Sequence, residues 1–179
     1  IYIQEYGLGR DIAPRLNWSG VYNESSWLYG HFKNPEAYSP RSIMPVMPLD
    51  DSKFYGLIYM LRTLGVSNRD KLSALWERQG FDPKLAFELY CASCHGTKAH
   101  GNGPVAEWIY PIPKNLRDAT FLRNLTKEKA IESVTLGVPG TPMPPWGKQI
   151  PKDELESNAP VLTKSEIKHL VDWVFNEVQ

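Results

Sequence analysis

The chain contains two cysteines, Cys91 and Cys94, and His95 follows the second directly. Two thiols one helical turn apart, followed by an imidazole, form the C-x-x-C-H pattern that reads as the covalent attachment site of a c-type haem. The spacing suits the chemistry. The thiols add across the two vinyl groups of the porphyrin, and the next residue brings an imidazole nitrogen under the iron. Besides a chance occurrence of the pattern, two other readings stand beside this one. A thioredoxin-like redox pair needs a βαβ surrounding, and Pro83 to Tyr90 reads as helix instead. A zinc site can draw on His95 and His100, but it lacks the long spacer that separates ligand pairs in zinc fingers.

A haem that carries electrons usually takes a second axial ligand from the protein, and methionine opposite histidine raises its potential. Of Met44, Met47, Met60 and Met143, only Met143 lies downstream of the motif. It stands in Gly140-Thr141-Pro142-Met143-Pro144-Pro145-Trp146. Prolines on both sides stiffen the backbone and deny it helix, so the loop can hold a thioether in a fixed place. His100 would have to double back over the haem edge to compete. His31 and His169 read as ordinary surface or partly buried histidines.

The elements that must position these residues are helical. Pro83 to Tyr90 leads into Cys91. A helix over Thr126 to Leu136 has Thr126 as N-cap, Glu128 in its first turn and Gly137 as its stop. A last helix, Thr163 to Val178, opens on a Thr163/Glu166 capping box. Its stripe of Ile167, Leu170, Val171, Val174 and Phe175 is spaced for one helix face. Upstream, Asp50 to Leu64 reads as a helix capped by Asp50 or Asp51, with Phe54, Leu57, Ile58, Leu61 and Leu64 on one side. Asn68 to Glu77 reads as a linker helix with Leu72, Leu75 and Trp76 inward. Fifteen prolines and 21 aromatic residues in 179 fit short helices and ordered loops around a flat cofactor.

Lys plus Arg equals Asp plus Glu at 20 each, so no global field draws the chain to nucleic acid or an anionic membrane. The longest apolar run, residues 54–64, is broken by Arg62 and falls short of the ~20 residues a spanning helix needs. The chain starts at Ile1 without methionine, which reads as a processed or truncated product. The run Lys152-Asp153-Glu154-Leu155-Glu156 reads as a solvated loop.

Residues 81–179 resemble a class I cytochrome c domain. The helix into Cys91, the Gly101-Asn102-Gly103-Pro104 turn, Pro111-Ile112-Pro113-Lys114-Asn115-Leu116 and the Met143 loop all carry the likeness. It implies an all-α fold of short helices around one covalent haem c. It implies that a proline carbonyl, of Pro111 or Pro113, accepts a hydrogen bond from His95 and tunes it. It places Pro113 and Trp146 with Cys91, Cys94, His95 and Met143 in the haem-binding set, and His95 and Met143 on the iron. It also implies that the last helix crosses the first, with Trp173 at the crossing.

Residues 1–66 resemble the rear part of a second cytochrome c domain, without a C-x-x-C-H motif. Ala13-Pro14-Arg15-Leu16 is similar to the family's turn, Trp27-Leu28-Tyr29-Gly30-His31-Phe32 to the helix before the Met loop, and Ser42-Ile43-Met44-Pro45 to that loop. The likeness runs closest to di-haem cytochromes and to cytochrome c subunits of respiratory complexes. The His95–Met143 spacing, counted back from Met44, ends upstream of Ile1. A missing front half with its own motif, a domain that lost its haem and became a docking platform, and a chance likeness are three accounts of this. On the first, Met44 is a ligand to a second haem iron. The expected organisation is thus an incomplete or degenerate cytochrome c-like domain over 1–66, a linker helix over 67–80 and a class I domain over 81–179.

The resemblance implies a non-enzymatic electron carrier outside the cytoplasm, in the periplasm or a comparable compartment. Its partners would be redox proteins, a membrane respiratory complex first among them, reached through a partner or a lost anchor. A haem-based sensor or peroxidase-like protein would need an open iron position, which Met143 argues against. A purely structural docking subunit is the other alternative.

Overall fold

The computed structural model describes residues 20, 23–147 and 161–178. Among them the regular structure is helical, and no strand forms. The order is α1 (Ser25–Lys33), α2 (Pro35–Tyr38), α3 (Asp51–Gln79), α4 (Pro83–Tyr90), α5 (Ala92–His95), one 3-10 turn (Ala106–Trp108), α6 (Ala119–Arg123), α7 (Lys127–Leu136) and α8 (Lys164–Glu177). The turn expected at Ala13–Leu16 and the charged run at 152–156 lie outside the described residues.

Local chemistry sets most of these boundaries. Asp82 accepts hydrogen bonds from the amides of Lys84 and Leu85 at 2.9 and 3.1 Å, and Pro83 at the first position of α4 has no amide to leave unpaired. Thr126 caps α7 through the Lys129 amide, and Gly137 ends it with φ +72°. At α8 the Thr163 hydroxyl accepts from the Glu166 amide, and the Glu166 carboxylate accepts from the Thr163 amide at 2.7 Å, the reciprocal box its sequence specifies.

The main core is formed where α8 lies against α4 and α7. Ala86, Phe87, Tyr90, Ile167, Leu170 and Val171 are buried there, and Phe87 meets Trp173 with ring centroids 5.5 Å apart. The expected crossing of first and last helices is therefore present. A second, smaller cluster joins Leu28 of α1 to Ile58 and Leu61 of α3.

The structure departs from the sequence reading between these clusters. The expected closing helix and linker helix are one element, α3, of 29 residues. The stretch between them, Gly65 to Ser67, contains a glycine but no proline, and an isolated glycine costs a helix only ~1 kcal/mol. Asp50 is the cap, accepting from the Lys53 amide at 3.1 Å. Phe54, Ile58 and Leu61 are buried as expected, whereas Leu64 is 38% exposed. Leu64 projects roughly 80° from Phe54 at 100° per residue, and buried Gly65 takes the next place on the stripe. Arg62, which interrupts the apolar run, is buried within the helix. Its guanidinium donates to the Ser25 hydroxyl at 2.9 Å and to the Gly20 carbonyl at 3.3 Å. At the far end, Trp76 joins the main core.

Candidate haem site

Cys91 caps α4 and opens α5, the single turn that carries Cys94 and His95. Its amide donates to the Phe87 carbonyl at 2.9 Å and its carbonyl accepts from the His95 amide at 2.9 Å, so the two helices abut without a gap. A short helix leaves its last carbonyls unpaired. Here the following loop folds back and takes them. The amides of Gly96, Val105, Gly103 and Gly101 donate to the carbonyls of Ala92, Ser93, Cys94 and His95 at 2.9, 3.1, 3.0 and 2.8 Å. The loop must pass very close to do so. A Cβ on Gly103 would stand 2.3 Å from the Ser93 carbonyl oxygen, and one on Gly101, whose φ is +75°, 2.5 Å from the Pro113 carbonyl oxygen. These glycines are the structural reason for the Gly101-Asn102-Gly103 turn.

The same loop carries the segment that faces His95. The Leu116 amide donates to the Ala99 carbonyl at 2.8 Å, and the Lys114 carbonyl lies 3.0 Å from His95 Nδ1. This corrects the expected acceptor, which is neither Pro111 nor Pro113. Pro113 instead backs Gly101. It is the next carbonyl along, that of Lys114, that points at the imidazole. With Nδ1–H donating to that carbonyl, the neutral ring keeps its lone pair on Nε2. Burial lowers the proton affinity of His95, while the Lys114 carbonyl raises it in part. The neutral form is the one that binds a metal.

The Met143 loop is tied to the end of α7. The Val138 amide donates to the Met143 carbonyl at 3.2 Å. The Trp146 and Gly147 amides donate to the Val134 and Thr135 carbonyls at 3.0 and 3.1 Å, which pairs groups the helix end would leave open. Gly137 lets the loop return over it, since a Cβ there would stand 2.8 Å from the Met143 carbonyl oxygen. The Met143 amide donates to the Thr141 hydroxyl at 3.2 Å. Trp146 is buried against Tyr90, the residue before Cys91, with ring centroids 4.9 Å apart. Met44 sits half-buried on the irregular stretch before α3, apart from this core.

These residues fit a covalent haem. Cys91 and Cys94 are not joined to each other. Burial pushes the Cys91 thiol up to about 12, helped by Cys94, and raises Cys94 as well. They are neutral thiols, unlike the low-pKa thiolate of a disulfide oxidoreductase. Among the described residues no three His, Cys, Asp or Glu side chains gather as a metal ion would require, so the zinc reading gains no second ligand pair. Cys91 and Cys94 would hold the haem and His95 Nε2 its iron, and the haem would supply one-electron redox chemistry. What the chain contributes is a fixed, neutral imidazole backed by a carbonyl and a stiff loop on α7.

Sequence reasoning missed the Lys114 carbonyl, because a backbone acceptor leaves no side-chain signal. It also left Gly101 and Gly103 as pattern matches, although glycines two apart behind a short helix signal a close backbone approach.

Residues 82–159 match the family of cytochrome c oxidase, cbb3-type, subunit III. No curated protein and no solved structure matches the chain. Together with the site geometry, this match supports a c-type cytochrome and haem-based electron transfer in general, and the helical regular structure of the described residues agrees with an all-α cytochrome c fold.

Proposed function

We propose that the chain carries single electrons through one haem c attached at Cys91 and Cys94, with His95 and Met143 as axial ligands. The observation that carries this reading is the pinned imidazole, His95 Nδ1 at 3.0 Å from the Lys114 carbonyl, set in a turn whose last carbonyls are all paired. The Met143 loop, lashed at both ends, supports a persistent second ligand and so a carrier over a sensor or peroxidase-like protein. The matched family takes its description from an oxidase subunit, which favours a redox partner in an extracytoplasmic membrane respiratory complex. No helix among the described residues is long and apolar enough to cross a membrane.

The test is haem per chain, by intact mass under denaturing conditions with a pyridine haemochrome spectrum. One covalent haem is expected, lost on replacing both cysteines. Reduced protein is expected to resist carbon monoxide, and Met143→Ala to bind it. A wild-type protein that binds carbon monoxide readily points to the sensor reading instead.

A second reading concerns the N-terminal half. Helix, Met loop and closing helix follow in the same order in both halves. The Met44 amide donates to the Ser42 hydroxyl at 3.2 Å, as the Met143 amide does to Thr141. That repeated turn supports an incomplete cytochrome c-like domain over 1–66, with Met44 as the counterpart of Met143. Haem released on denaturation, beyond the covalent one and abolished by Met44→Ala, would establish it. Retention of only the covalent haem leaves Met44 a packing residue.

A further inference from the structure

Trp76 lies outside the family match and before the segment whose sequence reads as a cytochrome c domain. It is on the last turn of α3, where the Gly80 amide donates to its carbonyl at 2.8 Å. Yet its indole is 93% buried, inside the core of that domain. It meets Phe81 edge-on at 4.8 Å and Tyr90 at 6.3 Å, and Tyr90 in turn meets Trp146 at 4.9 Å. Trp76, Tyr90 and Trp146, from α3, α4 and the Met143 loop, thus stand in one line of rings, with Phe81 beside the first. The middle one precedes Cys91. The last one anchors the rear of the Met143 loop through its amide to the Val134 carbonyl and its carbonyl to the Leu162 amide, both at 3.0 Å.

Tyr90 stands between the indole of Trp76 and the ring of Trp146, so the first ring is one wall of the place in which the second backs the third. Without the indole, Tyr90 has a void behind it rather than a wall, because close-packed interiors refill only in part. Tyr90 then loses one of its walls, and Trp146 part of its backing. We propose that Trp76 is a positioning residue for the haem, contributed by the preceding helix, which holds the Met143 loop through Tyr90 and Trp146. The inference rests on Met143 being the second axial ligand.

The test uses the full chain with haem attached, comparing wild type, Trp76→Ala, Trp76→Phe and Met143→Ala. Three properties are read: the long-wavelength charge-transfer band of ferric haem bound to a methionine sulfur, carbon monoxide binding to the reduced haem, and amide exchange at Trp146 and Gly147. Trp76→Ala is expected to weaken the band, admit carbon monoxide to the reduced haem and speed exchange at both amides about tenfold. Trp76→Phe, which keeps a ring, is expected to stay near wild type. If Trp76→Ala keeps the band and slow exchange while only its unfolding midpoint falls, the indole is plain core and the proposal is overturned. If Trp76→Ala does not accumulate, Trp76→Leu takes its place under the same criteria. A wild-type band that is absent, or that survives Met143→Ala, overturns the ligand reading itself and this inference with it.

Discussion

Gly103 and Lys114 make opposite demands on the sequence around His95. At Gly103 the side chain must be missing, because both oxygens a Cβ would meet, those of Ser93 and Ala92 at 2.3 and 2.6 Å, are backbone and cannot swing away. Gly103→Ala is therefore expected to cost about 1–3 kcal/mol, the range for overpacking a tight site. A denaturant titration reads this directly, and the yield of haem-bearing chain should fall with it. At Lys114 the side chain is irrelevant to the imidazole, because the acceptor is the carbonyl. Lys114→Ala should leave the haem spectrum and potential of the attached protein at wild-type values. A changed potential would mean that the ammonium group, not the backbone, tunes the site.

The helices were legible in the sequence wherever a cap stood at the boundary. Thr126 and Thr163 cap the helices expected of them, and α4, which the structure shows capped by Asp82, runs over the residues read from Pro83 to Tyr90. Thr163→Ala should destabilise the protein by about 1 kcal/mol, since it opens both halves of the box on the helix that crosses the core. That cost should show in the denaturant midpoint with no change in its slope. The side of α8 toward α7 carries the Lys127–Asp172 pair at 2.6 Å, which holds the Asp172 carboxyl below its ordinary value of 3.8. A depressed carboxyl stabilises the fold above that ordinary value, and the contribution fades as pH falls through the lowered one. Asp172→Asn should thus lower the unfolding temperature at neutral pH but match wild type in strong acid. What the sequence left hidden has physical causes too. Gly65 and the Ser67-Asn68 pair soon after it resemble a break, yet nothing there forbids helix, so α3 runs through. The His95 partner is a backbone atom of a residue whose side chain says nothing about it. The stretch around Met44 gave up its turn chemistry only when Ser42 was placed beside the Met44 amide.

At the scale of the molecule, α3 spans about 43 Å at 1.5 Å per residue. It packs on α1 near its start and lends Trp76 to the main core near its end. The C-x-x-C-H segment, the Met143 loop and the crossing helices lie in one core, while the Met44 stretch lies at the other end of this rod. Because a helix is a screw, its residue count is also an angle. One alanine inserted after exposed Asp70 would leave each cluster with all its own side chains, yet turn one end against the other by about 100°. Seven inserted residues would bring the two ends back to within ~20° of their original facing while moving them ~10 Å apart. Spin-label distances between the two ends should follow that periodic rule while the haem spectrum stays constant. Loss of folding with the single insertion would reveal contacts between the ends other than the helix. The heading of the Met44 end relative to the haem is thus written in the number of residues between Phe54 and Trp76, and changes in that number act as rotations before they act as spacers.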